Sequence, residues 1–338
     1  MVEAANGLLL KTADNAYHRI LTPAIRSRTK DSEPLVMLDK EQLAAQLLAE
    51  LPPGFQIHHS KNYVVCYNTT RVYAEWTSSL LERLQKAFIA QWKKKGCKVA
   101  PPEHPLPVIV FGDQASYAEW SRADLGPAVN NVIGYYNLDS NRITMYDLTG
   151  MQAEMAAGGA RATMRDISDL LSTPEAEPLV ATIVHEATHQ ISFNCGLQTR
   201  LVDNPLWMSE GMAVVFETPD LGSSRSWSGV KVNYARLDRF VDNLDADRVP
   251  PLSALVADDE LFRHRETAVD SYAQAWAWNY FLIKWRPKEY AAYLKDVADQ
   301  PLLSQPDAKA RKAMFVKHFG ADFVSLEREF FRQMRRVE

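Results

Sequence analysis

Residues 185 to 189 read His-Glu-Ala-Thr-His, and residues 207 to 213 read Trp-Met-Ser-Glu-Gly-Met-Ala. Two histidines four positions apart on a helix project from the same face, about one turn from each other, so both imidazoles can reach one metal ion. The glutamate between them, Glu186, then lies at the rim of that site, where its carboxylate can act as a base on water. The pattern therefore predicts a helix that carries two metal ligands, His185 and His189, and a catalytic base.

The residues around this motif have the features of the required helix. Thr173 suits an N-cap and Pro174 suits the first helical position. Gly196 suits the position just after the helix ends. Apolar residues recur at helical spacing at Val180, Ile183, Val184, Ala187 and Ile191. Two histidines that bracket an acid are costly to bury in such a helix without a ligand, which favours zinc ligation.

A catalytic zinc commonly has three protein ligands and one open position, so a third ligand is needed downstream. The candidates by residue type are Asp203, Glu210, Glu217 and His264. Glu210 is favoured because Asn204-Pro205 begins a helix that we expect to run to about Phe216.

Two details of this second helix bear on the assignment. Gly211, beside Glu210, removes a side chain where we expect this helix to approach the histidine-bearing one. Glu217 lies seven residues after Glu210 and shares its face, so it is either a hydrogen-bond partner of a ligating histidine or a solvated acid. The alternative for Glu210 itself is a surface glutamate on a short amphipathic helix.

These residues resemble the gluzincin metallopeptidases, in which H-E-x-x-H is followed by a helical W-x-S-E-G-x-A, and among them the peptidase-MA-like proteins of uncharacterised function. The resemblance extends from the strand-like residues 62–67 to the C-terminal helices, with supporting patterns at 233–237 and 272–276. It implies His185, His189 and Glu210 as zinc ligands and Glu186 as the general base. It does not supply a substrate.

The resemblance also suggests a hydrogen-bond donor to the oxyanion. In gluzincins this donor is often a tyrosine well downstream of the glutamate ligand, and Tyr272 lies 62 residues after Glu210. The alternative is structural, because Tyr272, Trp276 and Tyr280 also recur as a buried aromatic stripe would on a helix.

The predicted elements place the chain in the α+β class, with a mixed sheet and packed helices followed by an all-helical half. We expect strands near 62–67, 107–111, 132–136 and 142–146, helices at 39–51 and 71–95, and only helices after about 172, among them 231–244, 270–285 and 305–336. The predicted divisions are an irregular N-terminal arm (1–35), an α/β subdomain with an edge strand (36–172) and a helical zinc-site subdomain (173–338). The resemblance implies a gluzincin, thermolysin-like zinc cleft between the last two, with 142–146 as the edge strand beside the zinc.

Composition is that of an ordinary globular enzyme and limits the partners. The 338 residues are 46% apolar and 24% charged, and the net charge of −4 gives no general attraction to nucleic acid. No stretch approaches 18 apolar residues, so no transmembrane segment is predicted.

The three cysteines show no C-x-x-C spacing, so neither a disulfide framework nor a cysteine zinc site is indicated. Residues 1–10 lack the features of a signal peptide, and the compartment stays open, since export would require a signal that had been removed.

The function expected from these features is zinc-dependent hydrolysis of peptide bonds. An edge strand would hold an extended peptide by backbone hydrogen bonds, largely without regard to its sequence. The gluzincin aminopeptidases carry an upstream G-x-M-E-N motif, and this chain has none, which favours an endopeptidase.

The alternatives are a catalytically silent zinc-binding interaction module and a hydrolase of a non-peptide amide or ester. A redox or structural metalloprotein is disfavoured because two histidines and one glutamate with an open position suit a hydrolytic zinc site. Oligomeric state and cleavage preference are not encoded in these patterns.

Overall fold

The computed structural model describes residues 2–4, 7–29, 33–150, 163–218 and 230–337. Its strands are β1 (Val2–Ala4), β2 (Gly7–Lys11), β3 (Tyr17–Leu21), β4 (Gln56–His59), β5 (Tyr63–Tyr67), β6 (Leu106–Phe111), β7 (Gly134–Asn137) and β8 (Arg142–Tyr146). Its helices are α1 (Lys40–Glu50), α2 (Arg71–Lys94), α3 (Gln114–Leu125), α4 (Met164–Leu171), α5 (Glu177–Asn194), α6 (Leu206–Phe216), α7 (Tyr234–Asp245), α8 (Leu252–Ala257), α9 (Glu260–Arg263), α10 (Ala268–Trp285), α11 (Pro287–Ala298), α12 (Ala308–Phe319) and α13 (Phe323–Met334). The predicted α+β class is confirmed.

The larger sheet has five strands in the order β4-β5-β6-β8-β7. The three inner strands, β5, β6 and β8, are parallel, whereas β4 and β7 pair antiparallel at the two edges. Every residue of β5 and β6 is buried. Continuous apolar strands of this kind are typical of parallel strands that are covered on both faces. The mixed sheet predicted from the sequence is therefore present.

The edge strand differs from the prediction, which placed residues 142–146 at the edge. β8 lies between β6 and β7, so the edge strand is β7. The reason is that β8 pairs parallel with β6 while β7 folds back onto β8 through a tight turn. In that turn the side chain of Asn137 accepts the N–H groups of Asp139 and Ser140, both at 2.9 Å.

The irregular arm predicted for residues 1–35 is wrong for most of residues 2–21, where β1, β2 and β3 form an antiparallel sheet. These strands are short and largely solvent-accessible, with only Leu9 buried in β2, so they lack the alternation that identifies a strand. The backbone N–H of Tyr17 donates to the carbonyl of Asp139 at 2.7 Å, which attaches this sheet to the turn between β7 and β8.

One face of the larger sheet is covered by helices whose starts are set by local capping. Asp39 and Gln42 form a reciprocal capping box at the start of α1, which lies where the sequence predicts a helix at 39–51. Asp113 caps α3 through the N–H of Ser116. Both helices bury apolar residues in one core cluster with β5, β6 and β7, including Leu47, Cys66, Ile109, Tyr117 and Tyr135.

Contacts group the chain into two compact units. The first contains the described residues up to 85 and from 101 to 190, and the second contains 86–100, 191–218 and 230–337. The boundaries predicted near residues 35 and 172 stay predictions. No helix in the described part of the chain is long and apolar enough to cross a membrane.

Twelve of the 18 residues of α10 are buried, and α6 packs against this helix at Gly211. A Cβ atom at Gly211 would lie 2.6 Å from the carbonyl oxygen of Ala275 and 2.1 Å from Nδ2 of Asn279. That amide nitrogen also donates to the carbonyl of Trp207 at 2.8 Å. The glycine was predicted to admit the histidine-bearing helix, which is wrong: the helix that it admits is α10. Neighbouring residues of a helix point about 100° apart, so Gly211 faces a different element from Glu210.

The C-terminal residues form two helices rather than the single helix predicted for 305–336. They separate at Gly320, whose φ of +89° is costly for a residue with a side chain. Glycine at the end of a helix commonly provides such a break.

A buried ion cluster connects three segments of the second unit. The guanidinium of Arg311, on α12, donates to both carboxylate oxygens of Asp203, at 2.8 and 2.5 Å, and to both of Asp259, at 3.0 and 2.9 Å. All three side chains are at most 15% exposed. Asp259 also accepts the N–H of Leu206, the first residue of α6, at 2.9 Å. The cluster therefore joins α12 to the start of the helix that carries Glu210.

Replacement of Arg311 tests the structural importance of this cluster. Arg311→Met leaves two neighbouring carboxylates without their counter-charge, so we expect the free energy of unfolding to fall by about 3–5 kcal/mol in urea denaturation. Lys309→Met, at an exposed position of the same helix, is the matched control and should change stability by less than about 0.5 kcal/mol. Equal effects of the two substitutions would contradict the assignment.

Candidate metal centre

Helix α5 presents the two histidines as the sequence predicted. Its apolar residues, Val180, Ile183, Val184, Ala187 and Ile191, are at most 1% exposed, which confirms the predicted buried face. The helix begins at Glu177 rather than at Pro174, because residues 173–176 form a turn in which the N–H of Ala176 donates to the carbonyl of Thr173. The Nε2 atoms of His185 and His189 lie 3.2 Å apart.

Glu210 is the polar exception on a buried helix. Every residue from Trp207 to Phe216 except Glu210 is buried, whereas Glu210 is partly exposed. This pattern excludes the alternative that α6 is an amphipathic surface helix with a solvated glutamate. A carboxylate in such surroundings is costly unless it is paired or bound to a metal.

His185, His189 and Glu210 come together in the structure. One ligand atom from each lies within 4.8 Å of the other two, and this is the one group of three or more His, Cys, Asp or Glu residues able to hold a metal ion among the described residues. A tetrahedral zinc with Zn–N distances of about 2.0–2.1 Å would hold two nitrogens about 3.3–3.4 Å apart. The separation of 3.2 Å between the two Nε2 atoms fits that geometry. The group could therefore hold a metal ion.

The other candidate third ligands contact different partners. Asp203 binds Arg311 in the ion cluster described above. His264 has a 70% exposed side chain and lies 3.3 Å from Glu260. Glu217, at the end of α6, lies 3.5 Å from a guanidinium nitrogen of Arg236. Glu210 is the candidate that the structure brings to the two histidines.

The carboxylate of Glu186 is held by the edge strand. Its Oε2 atom accepts the backbone N–H of Tyr136, in β7, at 2.8 Å. Tyr136 lies opposite Ile143 of β8, and its N–H points away from β8 toward Glu186. This contact was not predicted from the sequence, because the pairing that makes β7 the edge is not encoded within β7 itself.

The negative charge of Glu186 acts on a buried tyrosine of the same unit. Burial raises the pKa of Tyr117, and the neighbouring Tyr135 and Glu186 raise it further. Its side chain is fully buried, in contact with the rings of Tyr135 and Tyr146. Tyr117 therefore stays protonated at neutral pH and is a packing residue.

Gln190, the residue after His189, anchors α5 to the sheet. Its side-chain nitrogen donates to the carbonyl of Pro107, in β6, at 3.0 Å and to the carbonyl of Asn141, at the start of β8, at 2.9 Å. Asn141 adopts a positive φ of 61°, which asparagine tolerates better than most residues. Sequence reasoning missed Gln190, although a signal existed: a polar residue beside an apolar helix face needs partners when it is buried.

Tyr272 lies on α10 and is partly exposed. Its ring contacts that of Phe262 edge-on, with 5.6 Å between the ring centroids. Trp276 and Tyr280 stack on each other at 5.4 Å, so part of the expected aromatic stripe is present. The catalytic role of Tyr272 stays a prediction.

Comparison with known proteins gives a family match over part of the chain. Residues 179–304 match the model of a family described as "Protein of unknown function (DUF1570)". No curated protein matches. The matched segment contains residues 185–189, residues 207–213 and Tyr272. The chain is thus similar, from α5 to beyond α11, to a family whose description states no activity.

Proposed function

We propose that the protein is a zinc-dependent peptidase of the gluzincin type. The observation that carries this proposal is the convergence of His185, His189 and Glu210, with Glu186 beside them in the same motif. Two imidazoles and one carboxylate, with a fourth position open, are a common donor set for catalytic zinc. When bound there, zinc would polarise the scissile carbonyl and lower the pKa of water.

Glu186 is the proposed general base. Its carboxylate would take a proton from the attacking water and later deliver it to the leaving nitrogen. The N–H of Tyr136 supports this role because it fixes one carboxylate oxygen by a hydrogen bond of 2.8 Å. A base held in one orientation loses less freedom when the substrate binds.

The edge strand supports a peptide as the substrate. β7 pairs with β8 on one side and is the terminal strand of the sheet in the described residues. An extended peptide can add to such an edge through backbone hydrogen bonds, and in the proposed complex the N–H of Tyr136 would remain with Glu186 while the peptide pairs with other edge-facing backbone groups of β7. The contact between Tyr136 and Glu186 would place the peptide backbone beside the proposed base, which favours peptide bonds over other amides.

Two rival functions remain distinguishable. A catalytically silent zinc-binding interaction module would retain the metal and bind peptides without cleaving them. A hydrolase of a non-peptide amide would cleave small amides and leave peptides intact. Incubation of the zinc-loaded protein with a diverse peptide library, followed by mass spectrometry of the products, separates these functions from the proposed peptidase.

Replacement of Glu210 tests the identity of the third ligand. We expect the wild-type protein to contain one zinc per chain, and Glu210→Ala to lose it or bind it far more weakly, because two imidazoles alone form an incomplete site. Elemental analysis of the purified proteins measures this. Glu177→Ala, at the exposed first residue of α5, is the matched control and should keep its zinc. Unchanged zinc in Glu210→Ala would show that the third ligand lies elsewhere.

Replacement of Glu186 tests its role as the base. Glu186→Gln preserves the size of the side chain and an oxygen that can accept the Tyr136 N–H, but it removes the basic carboxylate. We expect zinc to be retained and hydrolysis to fall by about 10² or more. Glu177→Gln, at an exposed position of α5, should retain full activity. Full activity in Glu186→Gln with metal retained would falsify the assigned role.

Replacement of Tyr272 tests whether its hydroxyl donates to the oxyanion. Tyr272→Phe deletes only the hydroxyl, so a donor to the oxyanion would lower kcat by about 10²–10³ with little change in melting temperature. Tyr280→Phe, two turns along the same helix, is the control and should leave kcat unchanged. A lower melting temperature with intact kcat in Tyr272→Phe would assign this tyrosine to packing instead.

A further inference from the structure

A cavity of about 940 Å³ opens in the first unit at the turn between β7 and β8. Its walls come from the loop between β2 and β3, from the C-terminal half of α1 and from the β7–β8 turn. Its charged lining residues are Asp14, Arg19, Glu50, Asp124, Asp139 and Arg142. The volume lies within the range of about 300–1,000 Å³ that is usual for ligand sites.

Carboxylates outnumber guanidinium groups in this cavity. Arg142 serves two acids, with Glu50 at 2.6 Å and Asp14 at 3.7 Å. Arg19 lies 3.7 Å from Asp139. Four carboxylates thus face two guanidinium groups, which leaves an excess of two negative charges. A concave surface with one excess sign of charge attracts the opposite charge.

The acids that contact Arg142 are ionised at neutral pH. Burial raises the pKa of Asp14, but hydrogen bonds from Thr12 and Ala16 and the charge of Arg142 outweigh burial, and the pKa lies below its ordinary value. Burial likewise raises the pKa of Glu50, and the contact with Arg142 outweighs it. Asp14 and Glu50 together with Arg142 therefore contribute one net negative charge to the cavity at neutral pH.

The cavity lies on a defined face of the edge strand. Since the N–H of Tyr136 points to Glu186, the backbone groups of Tyr135 and Asn137 are the ones that pair with β8. Side chains alternate along a strand, so Tyr135 and Asn137 share one face. The hydroxyl of Tyr135 donates to Asp124 at 2.6 Å, and Asn137 lines the cavity directly. That face of β7 is the face on which the cavity opens.

We propose that this cavity binds a cationic group of the substrate, either a Lys or Arg side chain or an N-terminal amine, on a peptide that adds to the edge of β7. The inference rests on the proposed peptidase function. A peptide strand beside β7 directs every second side chain to the face shared by Tyr135 and Asn137. The peptide residue opposite Tyr136 would lie beside the base. If the peptide runs antiparallel to β7, the peptide residue opposite Asn137 comes one position before it in the peptide sequence. The cationic group therefore lies on the N-terminal side of the cleaved bond.

The test uses ten-residue peptides that are N-acetylated, internally quenched and otherwise uncharged. A single Lys is placed at each position in turn, and each Lys peptide is compared with the peptide that has norleucine at the same position. We expect kcat/KM to rise at least tenfold for Lys at one position on the N-terminal side of the cleaved bond. Asp139→Lys, in the wall of the cavity, should abolish or reverse that ratio. Glu41→Gln, an exposed acid of α1 outside the cavity, should preserve it.

A second readout separates this inference from the peptidase proposal. The same peptides, labelled with fluorescein, are titrated against Glu186→Gln by fluorescence anisotropy, where the Lys peptide should bind with at least tenfold lower Kd than the norleucine peptide. Peptides with a free N-terminus show whether the cationic group is a side chain or the terminal amine. Cleavage without any Lys or amine preference overturns the cavity assignment and leaves the peptidase intact. Preferential binding without cleavage of any peptide supports the cavity and removes the peptidase.

Discussion

The side-chain amide of Gln190 determines how α5 sits on the sheet. It is fully buried and donates to two carbonyls, one in β6 and one at the hairpin turn before β8. Because Gln190 directly follows His189, these two hydrogen bonds fix the rotation of the helix at the point where its metal ligands project. A carbonyl that loses its donor in such a buried position carries the cost of its desolvation. The orientation of both histidines thus depends on a residue that belongs to neither the metal group nor the base.

The parts of the site that could be predicted are those set by local sequence. The apolar residues of α5 recur at helical spacing, and all five are buried as expected. The start of α6 after Pro205 and its end at Phe216 follow from residues next to those positions. His185, Glu186 and His189 could be identified because their spacing along one helix is also their spacing in space, whereas Glu210, on another helix, was favoured by the helix start at Asn204-Pro205 and by the resemblance.

The parts that could not be predicted depend on pairing between distant segments. No pattern within residues 134–146 indicates whether β7 or β8 pairs with β6. This pairing determines which of the two strands lies at the edge of the sheet. The N-terminal sheet escaped prediction because its strands bury little. The helix that packs against Gly211 was also predicted wrongly. A glycine indicates that another segment packs closely at that position, but it does not indicate which segment.

The start of α6 has a consequence for how the protein folds. Pro205, at its N-cap position, supplies no side-chain acceptor, and the N–H of Leu206 is bound by Asp259, 53 residues later in the chain. Asp259 is in turn held by Arg311, a further 52 residues on. Closing loops of this length costs entropy before any contact compensates for it, so such contacts form slowly compared with those inside a helix. We therefore expect the contacts that fix the start of the helix that carries Glu210 to form later in folding than the hydrogen bonds inside the helix itself.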